Sequence, residues 1–138
     1  MSIKEQEKTL IENFELLENW EEKYDYLIEL GYELPEMSED LKTEQNLVKG
    51  CQSSVWFNIR CENHKVFFEA DSDSLIVKGI VAVVDKLFNG QTAEDLLTAD
   101  LSFFETVGLW RHLSAQRSNG VSAMLAHLKK AATDCLTD

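Results

Sequence analysis

The chain has 138 residues, 44% of them hydrophobic, which fits a single domain spanning 1–138 around one core. Its 13 Lys and Arg against 25 Asp and Glu give a formal charge of −12, a field that repels nucleic-acid phosphates and anionic membranes and suits a basic protein surface. No apolar run approaches the roughly 20 residues that span a bilayer, and the charged start Met1-Ser2-Ile3-Lys4-Glu5 has no signal-peptide apolar region, so a cytoplasmic protein is expected. Cys51, Cys61 and Cys135 are an odd number with wide spacings, which speaks for reduced thiols rather than a disulfide framework.

Ser2-x-x-Glu5 is a capping box that starts a helix with Leu10, Phe14 and Leu17 on one face. Asn19 can cap a second helix carrying Trp20, Tyr24, Leu27 and Ile28, with Gly31 supplying the left-handed residue that ends it. The result is an N-terminal helical hairpin whose aromatic residues read as core packing rather than a cofactor box. Leu34-Pro35 forces an extended segment, and 36–46 reads as an acidic surface loop. Val55, Phe57, Ile59 and Cys61 alternate with Trp56, Asn58 and Arg60, the period of a half-buried strand that puts Cys61 on the packed face. After a turn at Glu62-Asn63-His64, Val66, Phe68 and Ala70 alternate again, giving an antiparallel hairpin. Two strands alone are marginal in water, so 47–49 adds a short third strand or helices cover one face. The fold class is therefore α+β, a small antiparallel sheet of two or three strands packed against helices.

Residues 75–88 are rich in Val and Ile but too long for an ordinary strand, and Ile76, Ile80, Val83, Val84 and Leu87 keep helical spacing. They predict a central buried helix, and Gly79 inside it, at a cost of about 1 kcal/mol relative to Ala, implies that something packs closely there. Asn89-Gly90 stops it. Thr92-x-x-Asp95 and Ser102-x-x-Glu105 mark two short helical pieces, the second ending at Gly108. Val121, Met124, Leu125 and Leu128 define a final amphipathic helix capped by Ser118 or Asn119.

Two stretches carry chemistry. In Gly50-Cys51-Gln52-Ser53-Ser54, a thiol sits in a turn just before an apolar strand. Gly50 frees the backbone there, and Gln52 and Ser53 offer donors without bulk. Such a sulfur is reachable and can be hydrogen-bonded, as a nucleophile needs, although spacing alone favours a cysteine of the core. The segment 108–120 gathers Arg111, His112 and Arg117 in an otherwise acidic chain. Arg117 lies at a helix start, where the dipole disfavours a cation, so it is aimed at a surface carboxylate or at a functional anion.

Four separated stretches resemble the SufE family. They are Trp20-Glu21-x-Lys23-Tyr24-x-Tyr26-Leu27-Ile28-Glu29-Leu30-Gly31 with Leu34-Pro35; Gly50-Cys51-Gln52-Ser53-x-Val55-Trp56; Asp71-Ser72-Asp73 with Ile76-Val77-Lys78-Gly79; and His112-Leu113-Ser114 with Arg117-Ser118-Asn119-Gly120. They stand in the family's order and cover nearly the whole chain; the related CsdE proteins share the layout, and Gln52-Ser53 favours SufE. The resemblance implies a SufE/NifU-like fold and a sulfur acceptor, in which Cys51 takes persulfide sulfur from a pyridoxal-phosphate cysteine desulfurase of the SufS type, stimulates it, and passes sulfur to a SufBCD-like scaffold for iron–sulfur cluster assembly. The pyridoxal phosphate would sit on the desulfurase, with no cofactor or metal on this chain. It further implies that Arg117, and less directly His112, support the thiolate while Gly50, Gln52 and Ser53 shape the loop; a homodimer is compatible with it.

Other readings use the same residues. A cysteine hydrolase or acyl transferase would pair Cys51 with His112 as base, but no acidic residue stands out to orient the histidine. A non-catalytic desulfurase regulator would need no thiol chemistry. A metal site is the weakest, because Cys61-x-x-His64 supplies two ligands and Cys51 and Cys135 lie far off in sequence.

Overall fold

The computed structural model describes residues 2–137. The capping box forms as expected: Ser2 Oγ accepts from the Glu5 N–H and Glu5 reaches back to the Ser2 N–H, opening α1 (Ile3–Glu15). Asn19 caps α2 (Trp20–Glu33) by accepting from the Glu22 N–H at 2.9 Å. The two helices meet where Asn13 donates to the Tyr26 hydroxyl and the Phe14 ring stands edge-on to that of Tyr26.

Gly31 does not end α2. It lies inside the helix and is buried against α3 (Leu75–Phe88), where a Cβ would stand 3.1 Å from the Gly79 nitrogen. The stop comes instead from extended Leu34 before Pro35, as the restriction on a residue preceding proline requires. Between Pro35 and the sheet the chain makes two 3₁₀ turns, Glu39–Leu41 and Glu44–Asn46, and buries Met37.

The sheet is one hairpin. Strand β1 (Val55–Glu62) pairs antiparallel with β2 (Lys65–Ser72), from Val55 opposite Ser72 to Glu62 opposite Lys65. Asn63 and His64, at φ 52° and 61°, make the two-residue left-handed turn that suits strand twist. Residues 47–49 contribute no third strand, only a bridge from Leu47 to Trp56 and a bond from the Val48 N–H to the Val55 carbonyl. Helices cover the apolar face instead.

Helix α3 is the centre. Val77, Ile80, Val81, Ala82, Val83, Val84, Leu87 and Phe88 are all buried, so this is the central buried helix that its length and spacing predict, despite a Val and Ile content that suits a strand. It packs against α1, α2 and β2. Asn89 ends it in extended backbone and uses its carboxamide to pair with both the N–H and the carbonyl of Phe68 on β2. Helices α4 (Ala93–Thr98), α5 (Phe103–Thr106) and α6 (Leu109–His112) lead to α7 (Ala115–Thr137), which packs on α4. Thr92 caps α4 through the Asp95 N–H, whereas Ser102 makes no side-chain cap for α5.

Two further features depart from expectation. Helix α7 begins several residues before Ser118 and Asn119, with Ser114 Oγ accepting from the Arg117 N–H. In addition, Cys61 and Cys135 are not reduced thiols but form a disulfide, with Cα atoms 5.7 Å apart. Cys61 is on the exposed end of β1 and Cys135 is buried on α7. Spacing along the chain could not reveal this, because the pairing depends on the end of the hairpin meeting the end of the last helix.

Asp71, a polar residue that burial would penalise, is held by three partners. Its carboxylate lies 3.1 Å from Lys42 Nζ and 3.3 Å from Lys78 Nζ, and it accepts from the Ser72 N–H at 2.8 Å. It thus ties the segment before β1 to both β2 and α3. Burial acts to raise its pKa; Lys42, the Ser72 N–H and Lys78 outweigh that and hold the carboxyl below its ordinary value. A group held low contributes stability that is complete above the unfolded-chain pKa of about 4 and is lost as pH falls through the native value. Asp71→Asn is expected to cost about 1–2 kcal/mol at neutral pH, since both lysines can still reach water. The gap from wild type should close as urea midpoints are followed from about pH 5 to about pH 2; a constant gap would show that the carboxylate charge is not what matters.

Candidate functional site

The Cys51 loop leaves the core at Val48 and re-enters at Val55, and these two residues are joined by a 2.8 Å backbone bond. Gly50 takes φ 96°, a left-handed angle that a side chain would strain, and this turns the chain so that Cys51 faces α7. At the far side of the loop, the Ser54 N–H donates to Asp73 Oδ1 at 3.1 Å and the Asp73 N–H donates to the Ser54 carbonyl at 3.2 Å. A short loop is therefore clamped at both ends, with 49–53 spanning between the clamps.

The thiol of Cys51 is half-buried and donates to the Gly120 carbonyl, with sulfur and oxygen 3.5 Å apart. Gly120 lies directly against the loop: a Cβ there would stand at van der Waals distance, 3.5 Å, from the sulfur. Beside the thiol is a cavity of about 330 Å³. The loop contributes Cys51, Gln52 and Ser53; α3 contributes Val77 and Ile80; α7 and its cap contribute Ser114, Gln116, Arg117, Gly120, Val121 and Met124. One wall is apolar and the other polar. Burial pushes the Cys51 pKa above its ordinary value, so the sheltered form is the thiol.

Arg117 lies in the first turn of α7 and lines this cavity. Among the described residues no ion pair engages it, so the surface-carboxylate alternative is not realised. Its main-chain N–H is taken by Ser114, and the residue, exposed to solvent, lines the same cavity as Cys51. Gly50, Cys51, Gln52, Ser53 and Arg117 are thus brought to one place. His112 is not: its ring stacks on Trp20 with centroids 3.9 Å apart, its carbonyl accepts from the Tyr24 hydroxyl, and it does not line the cavity. The apolar wall of Val77, Ile80, Val121 and Met124 was readable in sequence only as core. The role of Asp73 as loop clamp needs the hairpin register, which brings it opposite Ser54.

A second groove of about 730 Å³ between α1 and the α4–α5 region contains neither cysteine nor histidine. Among the described residues no cluster of three His, Cys, Asp or Glu is placed to hold a metal ion. Cys61 of the Cys61-x-x-His64 pair is occupied by Cys135. Among the described residues no helix is long and apolar enough to cross a membrane.

Fold and site together define a small α+β protein that presents one free cysteine on a clamped loop over a cavity shared with an arginine. Residues 8–132 match the family model described as SufE: Fe-S metabolism associated domain, and the chain belongs to the SufE family. It is 41% identical over 128 residues to an uncharacterized SufE-like protein of Rhizobium meliloti (strain 1021), covering 89% of this chain and 91% of that one. A similar SufE-like protein of Rhizobium etli is 40% identical over 128 residues, covering 89% and 86%. The fold is also that of a hypothetical protein from Thermus thermophilus solved in solution, with a TM-score of 0.78, 22% identity, and coverage of 96% and 97%. Family membership gives the chain a role in iron–sulfur metabolism.

Proposed function

We propose that Cys51 accepts persulfide sulfur from a SufS-like, pyridoxal-phosphate cysteine desulfurase, and that the chain then delivers it to a SufBCD-like scaffold for cluster assembly. The observation that carries this reading is the placing of the one free thiol among the described residues in a loop cavity that also holds an unpaired arginine. In the transfer, the Cys51 thiolate attacks the outer sulfur of the donor persulfide. A new sulfur–sulfur bond forms at Cys51, the donor's bond breaks, and the donor leaves as a thiolate, so no external oxidant or reductant is consumed. The pyridoxal phosphate remains on the desulfurase throughout.

The raised pKa of the sheltered thiol makes loop movement part of this proposal. Even an ordinary thiol is only about a few per cent ionised at neutral pH, and Cys51 in its resting position is less so. Swinging 49–53 outward between the two clamps would lose one thiol bond to Gly120 and relieve desolvation. Returning inward would shelter the new persulfide against the apolar wall, with Arg117 beside its charge.

The test is intact-mass analysis after mixing the protein with an active SufS-type desulfurase and cysteine, followed by peptide mapping. A reductant-sensitive gain of one sulfur on Cys51 is expected; sulfur on another residue, or none while the desulfurase turns over, would refute the acceptor reading. Arg117→Ala should retain its thermal midpoint but accept sulfur about tenfold more slowly in single turnover, the size of one lost charge-assisted contact. Arg117→Lys should recover part of the rate. Equal rates in all three proteins would remove Arg117 from the mechanism.

A further inference from the structure

We propose that Cys61 and Cys135 form a reversible redox site that clasps α7 to the hairpin and works independently of Cys51. Strand β1 and helix α7 run side by side in the same direction, touching at three successive levels. Cys51 meets Gly120 just before the strand, Phe57 stands edge-on to His127 at its middle, and Cys61 joins Cys135 at its end. The sulfur contacts thus lie at opposite ends of one strand–helix pair. From Val55 to Cys61 the strand alone extends about 20 Å, so Cys51 cannot reach the pair without unfolding β1.

Both states of the pair fit the fold. As a disulfide it closes a loop of 74 residues. As thiols, Cys61 faces the Cys135 carbonyl at 3.8 Å and Cys135 faces the Lys65 carbonyl at 4.0 Å, so each has an acceptor when the bond is open. Cys61 is exposed, which admits a small-molecule thiol or disulfide, whereas Cys135 is buried and follows by intramolecular exchange. Oxidation by a low-molecular-weight disulfide balances as two steps. The Cys61 thiolate displaces one small thiol to form a mixed disulfide; Cys135 then displaces the second. Two electrons pass to the small disulfide, which leaves as two thiols carrying the two protons.

Helix α7 lines one side of the Cys51 cavity with its first turns, so the clasp anchors from its far end the helix on which that cavity is built. Cross-linking positions so distant in sequence restricts the unfolded chain, and the oxidised form should melt on the order of 10 °C above the reduced form.

The experiment is incubation of the whole protein with glutathione disulfide or with dithiothreitol, followed by mapping of linked peptides and thermal melting. The expected result is a Cys61–Cys135 link that forms and opens reversibly, a higher midpoint when it is closed, and no midpoint difference in Cys61→Ser. Links involving Cys51, free Cys61 and Cys135 after oxidation, or equal midpoints in the two states would each overturn the proposal. None of these readouts uses a desulfurase, so they stand apart from the test of sulfur acceptance.

Discussion

Cys51→Ser is expected to reduce sulfur acceptance to background while the protein keeps its fold and melts within about 2 °C of wild type. The hydroxyl is close to the thiol in size and can still donate to the Gly120 carbonyl, so the resting loop loses little. What it loses is the only atom among the described residues that is both a free thiol and beside the cavity. A serine hydroxyl does not form a persulfide under these conditions, so no sulfur should map to position 51 and no stimulation of a matched desulfurase should follow. Two assays separate the readings. If sulfur transfer vanishes and stimulation vanishes with it, stimulation is the consequence of the protein accepting sulfur. If stimulation survives at wild-type level, the protein acts by binding, and the regulator reading replaces the acceptor. A hydrolase or acyl transferase would instead show a covalent acyl group on Cys51, and His112, stacked on Trp20 and not among the residues lining the cavity, is not placed to serve it as base.

What could be read in the sequence was whatever is local. Residues 75–88 declared a helix through length and spacing, and the structure gives Leu75–Phe88. Ser2, Asn19 and Thr92 declared caps, because an N-cap is a contact across three or four residues. The alternation on either side of Asn63-His64 declared the hairpin. Where two local solutions compete, tertiary packing decides. Ser114, Ser118 and Asn119 are all capping types within one polar run, and in the folded chain it is Ser114 that takes the Arg117 N–H and opens α7. Gly31 has the chemistry of a helix end, yet the close approach of α3 keeps it helical. The site divides in the same way. Cys51 with Gly50, Gln52 and Ser53 is one continuous motif, but only the fold sets Arg117 at the same cavity and draws His112 away to Trp20. Cys61 followed strand parity onto the Val55–Phe57 side, but the end of β1 runs beyond the core, which leaves it exposed and next to Cys135.

Gly79→Ala is expected to be the most damaging single-methyl change in the molecule. Helical propensity alone says the reverse, since Ala is favoured over Gly by about 1 kcal/mol inside a helix. Against this stands the geometry of the α2–α3 crossing. A Cβ built on Gly79 would lie 2.2 Å from the Leu27 carbonyl oxygen and 2.6 Å from its carbonyl carbon. These are backbone atoms of a helix, so no rotamer can relieve the contact, and α2 as a whole must retreat by roughly an ångström. That retreat strips contacts from Leu27 and Leu30, both buried here, and opens voids along the crossing. The overpacking and the gaps together should exceed the propensity gain, for a net loss of about 3 kcal/mol and a fall in thermal midpoint of about 10 °C. Gly31→Ala offers the internal comparison: its Cβ would meet the Gly79 nitrogen at 3.1 Å, a strain that a shift of a few tenths of an ångström removes, and its cost should be smaller. Urea unfolding of both variants, with the slope checked against wild type, measures the ranking. If Gly79→Ala proves as stable as wild type, the two helices do not cross at backbone contact. The Cys51 cavity, whose apolar wall takes Val77 and Ile80 from that same helix, would then rest on a looser support than the crossing implies.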